Sequence, residues 1–110
     1  MSQQAPNEAL RDLSALVGDA AAKEIVQVFL DDFPVALRSL GAGNPDEQLR
    51  AAHGLKSSAR HMGADALSRR MAELEERLAT TGGTVTAEDL SGARAEFEGF
   101  AAALRAYAAA

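Results

Sequence analysis

The 110-residue chain carries 16 acidic and 11 basic side chains, a net charge of −5, 47% apolar and 25% charged residues, and no cysteine. That length predicts one domain spanning residues 1–110, because smaller pieces would bury too little surface. Disulfides, thiolate metal sites and a catalytic cysteine are excluded, and the acidic balance argues against nucleic acid, whose binders neutralise phosphates with a basic face.

No window approaches 18 uninterrupted apolar residues, and the opening "MSQQAPNEALRD" has neither the basic nor the apolar region of a signal peptide. The expectation is a cytoplasmic protein with no membrane partner. Apolar residues recur at three-to-four spacing with no alternating strand pattern, which predicts an all-α fold.

A short first helix is expected from a cap at Asn7 to Val17, with Leu10, Leu13, Leu16 and Val17 as its apolar side and Gly18 as its stop. The second helix runs from Asp19 to about Leu40. Ile25, Phe29, Phe33, Leu37 and Leu40 form its stripe, broadened by Val26 and Leu30. Pro34 falls inside, where it removes a hydrogen bond and predicts a kink rather than a loop, since the stripe continues in phase.

"GAGNP" separates this helix from a third, with Asn44 as cap and Pro45 at the first helical position, ending near His61 or Met62 before Gly63. A fourth helix is expected over about residues 65–80 on Leu67, Met71, Leu74 and Leu78. "TTGGTVT" then reads as a loop. Thr86 followed by Asp89 resembles a capping box opening a last helix, in which Leu90, Phe97, Phe100, Ala101, Leu104 and Tyr107 turn inward. The whole predicts an antiparallel four-helix bundle with a short additional N-terminal helix over one end.

On the third helix a turn of ~100° per residue puts Leu49, Ala52, Leu55, Ala59 and Met62 on the core side. His53, Lys56, Ser57 and Arg60 gather on the opposite side, and His61 lies on the flank. An exposed polar face is the ordinary surface of any bundle. Yet this patch holds two cations and no carboxylate in an acidic protein, and it sets Gly54 and Ser57 beside the imidazole, the glycine at up to ~1 kcal/mol of helix propensity. Phosphate is the anion that fits. His53 stands about two turns inside its helix, where the backbone amides are already committed, so the compensating charge must come from side chains such as Lys56 and Arg60.

The segment "AHGLKSSARHMGADAL" resembles the signature of histidine-containing phosphotransfer (HPt) domains of two-component phosphorelays. The matching positions are His53, then Leu55 and Lys56, the small run Ser57 to Ala59, Gly63 ten residues after the histidine, and Leu74 with Glu75 further on. The likeness extends to "FLDDFP" in the preceding helix and to the length.

The resemblance implies a relay in which His53 takes a phosphoryl group from the aspartate of one receiver domain and passes it to another. Lys56 would steady the phosphoryl oxygens, and Glu75 would orient the imidazole through Nδ1, leaving Nε2 as nucleophile. Arg60 has an auxiliary place. Gly54 and Ser57 would lie under the docked receiver, although the family usually has glycine where this chain has Ser57. The implied partners are receiver domains of response regulators or of a hybrid histidine kinase. No cofactor belongs to the chain itself, since the metal ion is expected in the receiver.

Three rivals are weaker. A sensor-kinase phosphoacceptor region would need an ATP-binding domain, and the chain has no Gly-rich phosphate loop, so no kinase or ATPase activity is expected. A metal site on His53 and His61 is disfavoured by their eight-residue spacing. An adaptor bundle without phosphotransfer chemistry is separated from the relay by exposure to a phosphorylated receiver.

Overall fold

The computed structural model describes residues 5–80 and 82–110, which form five helices: α1 (Glu8–Val17), α2 (Asp19–Ala42), α3 (Pro45–His61), α4 (Asp65–Thr80) and α5 (Ala87–Ala109). Thr81 and the first four residues lie outside that range, and with them part of the expected loop and of the N-terminal stretch read for targeting. Residues 82–86 are non-helical, as the glycine pair predicts.

Each helix begins and ends for a local reason. Asn7 accepts a hydrogen bond from the Leu10 amide and caps α1, while Gly18, at φ 91°, turns the chain into α2. Asn44 accepts from the Glu47 amide with Pro45 just behind it, and the acidic first turn and basic last turn of α3 complement its dipole. Thr86 and Asp89 form the reciprocal capping box of α5. α2 runs through Pro34 unbroken, so its buried residues stay in phase on both sides.

α2 packs on α3 and α5, α3 on α4, and α4 on α5, closing a four-helix bundle. α1 leans on α2. The core runs along the axis from Tyr107, Leu10 and Val26 through Phe29, Phe33 and Phe97 to Leu40. Phe33 and Phe97 stack with ring centroids 5.0 Å apart, and Phe29 tilts against both. At one end the Tyr107 hydroxyl donates to Asp19, which is also paired with Lys23, joining α5 to the start of α2.

Two stripes differ from expectation. Ile25 is 40% exposed, and the buried arc of α2 passes instead through Ala22, Val26, Phe29, Phe33 and Leu37, because α3 and α5 embrace α2 from a direction that leaves Ile25 on the outer flank. On α1 only Leu10 is buried; Leu16 is 82% exposed and Val17 is also exposed. Ten residues leaning mainly on α2 cannot cover a full apolar side. Leu49, Leu78, Leu90 and Phe100 are half-buried rather than central.

Candidate functional site

Ala52, Leu55 and Ala59 are buried, and they fix the rotation of α3 so that His53 emerges on the outer side with 65% of its side chain exposed. On α4 the buried Leu67, Met71 and Leu74 do the same, and Glu75, next in sequence, comes out at the α3–α4 seam with 21% of its side chain exposed. There its two carboxylate oxygens serve two partners. Oε2 lies 2.5 Å from His53 Nδ1, and Oε1 lies 2.6 Å from Lys56 Nζ.

The hydrogen bond from Lys56 is the largest influence on the Glu75 carboxyl; it outweighs the opposing effect of burial and, with the His53 contact, holds the pKa below the usual glutamate value. Glu75 is therefore ionised at neutral pH, and an ionised carboxylate only accepts. Nδ1 of His53 carries the proton, and in the neutral ring Nε2 keeps its lone pair. One further bond stiffens the seam: Ser68 on α4 donates to the Lys56 carbonyl at 3.0 Å.

Lys56 is less open than the sequence pattern implies. Only 24% of its side chain is exposed, because it folds against α4 to reach Glu75. Arg60 is exposed and makes no ion pair among the described residues; seven positions on from His53, it stands roughly 10 Å further along the axis. Ser57 is half-buried beside the histidine. Gly54 is exposed, and a Cβ built there would meet nothing within 4 Å.

The far side of His53 from Glu75 slopes through Gly54 into a groove of about 720 Å³ between α1, α2 and α3, lined by Leu13, Leu16, Ile25, Val28, Ser58 and His61 among others. The sequence reading missed this feature. Leu13, Leu16 and Ile25 follow helical periodicity and so read as core, while His61 reads as a bare flank residue; the available signal was the shortness of the first helix, with four large apolar residues and too little neighbouring surface to bury them.

The model of the Hpt domain family matches residues 24–110. The chain belongs to that family. The match takes in most of α2 and all of the helices that carry His53, Lys56 and Glu75, and it leaves α1 outside. Membership gives the protein a phosphotransfer-type role in two-component signalling, as an Hpt intermediate rather than a kinase, and implies contact with receiver or kinase domains. No curated protein and no solved structure matches the chain. Among the described residues, no helix of this Hpt domain is long and apolar enough to cross a membrane.

Proposed function

We propose that the 110 residues act as one Hpt domain that relays a phosphoryl group between aspartates of receiver domains through phospho-His53, in the cytoplasm. The observation that carries this reading is the exposed imidazole whose Nδ1 proton is held by the ionised Glu75 beside Lys56.

In the forward step, the Nε2 lone pair of His53 attacks the phosphorus of a receiver's aspartyl phosphate. The N–P bond forms as the P–O bond to the aspartate breaks, and the carboxylate leaves with the electron pair. The ring becomes cationic, with its Nδ1 proton kept on the ring and still hydrogen-bonded to Glu75, so no proton need be moved. The same arrangement runs in reverse: when the next aspartate attacks the phosphorus, the ring departs as the neutral Nδ1–H form.

Lys56, already beside the imidazole, would turn part of its hydrogen bonding from Glu75 to the phosphoryl oxygens, and Arg60 would add long-range positive potential. The metal ion and acidic pocket that position the phosphoryl group would come from the receiver, so this domain needs no cofactor and offers neither kinase nor ATPase activity of its own. Docking would cover Gly54 and Ser57 and extend into the groove beside them.

The test is to incubate the protein with a receiver phosphorylated by acetyl phosphate and examine the adduct. A phosphoramidate is acid-labile and alkali-stable; the label should appear in the parent and in His61→Gln, and vanish in His53→Gln. Labelling of His53→Gln, or direct labelling of the purified parent from ATP, would overturn the reading. An adaptor bundle would give no acid-labile adduct at all.

A further inference from the structure

Lys56 is held by α4 at both of its ends. Its ammonium donates to Glu75 Oε1 at 2.6 Å, and its main-chain carbonyl accepts a hydrogen bond from the Ser68 hydroxyl at 3.0 Å. Ser68 is half-buried and lies seven residues before Glu75, so the two stand on one face of α4, about 10 Å apart along its axis. Ala72, also half-buried, falls between them and has no side chain large enough to hold the helices apart.

The satisfaction of polar groups does not require this bond. The Lys56 carbonyl lies inside α3, where a helical amide is its partner, and Ser68 uses its second lone pair. A serine in a helix can equally return its hydroxyl to the carbonyl four residues back, here that of Ala64. The Ser68 hydroxyl crosses to α3 instead.

What the crossing adds is direction. Burial of Leu67, Met71 and Leu74 together with Ala52, Leu55 and Ala59 sets how α4 is turned, but apolar contact is non-directional and tolerates a small slide along the axis. The bond between Glu75 and His53 does not, because hydrogen bonds weaken steeply as their geometry departs from the optimum. We propose that Ser68 is a positioning residue for the relay: by fixing α4 against the backbone of Lys56, it sets where Glu75 meets Nδ1 and so keeps the His53 ring in the Nδ1–H tautomer, with Nε2 free to attack. The inference rests on the relay reading above and adds to it a residue that acts through Glu75.

The experiment uses the whole chain, isotopically labelled in nitrogen, and reads the His53 ring by long-range proton–nitrogen correlation at a pH where the ring is neutral. Initial transfer rates are measured in parallel against the concentration of a receiver phosphorylated with acetyl phosphate. In the parent, Nδ1 should resonate as a protonated nitrogen and Nε2 as an unprotonated one. Ser68→Ala should draw the two resonances together as the second tautomer gains population, and should lower the maximal rate about three- to tenfold while leaving the half-saturating receiver concentration unchanged. Ser68→Thr, which keeps the hydroxyl, should restore both. Tyr107→Phe deletes a hydroxyl bond between α5 and α2 and should leave both at parental values. Helical circular dichroism checks that each variant folds.

If the parent transfers while Ser68→Ala keeps the parental resonances and maximal rate, α4 is positioned without Ser68, and the inference fails while the relay stands. Equal changes in Tyr107→Phe would assign the effect to a general loosening of the bundle, and a Ser68→Thr variant no better than Ser68→Ala would assign it to side-chain volume; either overturns the proposal. If the parent accepts phosphate from no receiver, the relay reading itself falls, and this inference falls with it.

Discussion

Glu75 is shared by two donors, and the consequences of breaking either contact differ. Lys56→Ala removes the main cause of the lowered Glu75 pKa, so the carboxyl should titrate at higher pH than in the parent, which carbon-detected NMR of the side chain would read directly. The same change should slow phosphoryl transfer or shorten the life of phospho-His53, by roughly tenfold or more if Lys56 bonds the phosphoryl oxygens. Glu75→Gln keeps an acceptor for Nδ1 but loses the carboxylate that Lys56 holds. It should therefore retain more transfer than Glu75→Ala, which leaves Nδ1 without a partner. Equal losses in the two variants would mean that orientation of the ring is not what Glu75 provides.

At the level of the helix, Gly54 and Gly63 make opposite predictions. Gly54 sits inside α3 with ordinary helical backbone and open space where a side chain would be, so Gly54→Ala should stabilise the fold by up to ~1 kcal/mol in a denaturant titration. If receivers dock across it, the same variant should need more receiver for half-maximal transfer, a gain in stability accompanied by a loss in function.

Gly63 is required by the fold. Its φ is 80°, and an added Cβ would fall 2.6 Å from the side chain of Asn7, which caps α1 and also donates to the Met62 carbonyl. Gly63→Ala should destabilise by about 1–3 kcal/mol and loosen α1 from the end of α3, shown by faster hydrogen exchange at the Leu10 amide. Ser57 separates size from chemistry: Ser57→Gly should preserve or accelerate transfer, and Ser57→Tyr should block it with helical content unchanged.

Across the whole molecule, three carboxylates that take part in contacts between helices have lowered pKa values. Asp19 is lowered chiefly by Lys23 and then by Tyr107, and Glu75 chiefly by Lys56. For Asp89 burial is the largest influence and opposes ionisation, yet bonds from the Thr86 backbone and Arg77 together prevail. A carboxylate lowered in the folded state binds fewer protons there than in the unfolded chain. Its contribution is complete above the unfolded pKa and is lost as pH falls through the folded one. The urea midpoint should accordingly hold steady between about pH 7 and 5 and fall below about pH 4, with Asp19→Asn and Glu75→Gln flattening the fall. The apolar core sets the larger scale: Phe97, stacked on Phe33, should cost about 3–5 kcal/mol when replaced by alanine.

Helical periodicity, Asn44–Pro45, the Thr86–Asp89 box and the glycines at 18 and 63 are local signals. Each acts within a turn or two of chain, so the sequence by itself determined the helices and nearly all their ends. The order of long helices with short connections then implied the bundle. His53 and Lys56 are three apart on one helix, so their proximity was also legible. Glu75 is 22 residues from His53, and only its place in the family's motif pointed to it, because no local rule fixes the rotation of α4 against α3. That rotation is set by burying Leu67, Met71 and Leu74 together with Ala52, Leu55 and Ala59. The same burial turned Lys56 inward. Periodicity tells which residues of a helix are apolar, not how much neighbouring surface exists to cover them. The fate of Leu16 and Ile25 was therefore decided by tertiary structure alone, where a ten-residue helix packed mainly on α2 leaves an apolar groove open beside the histidine.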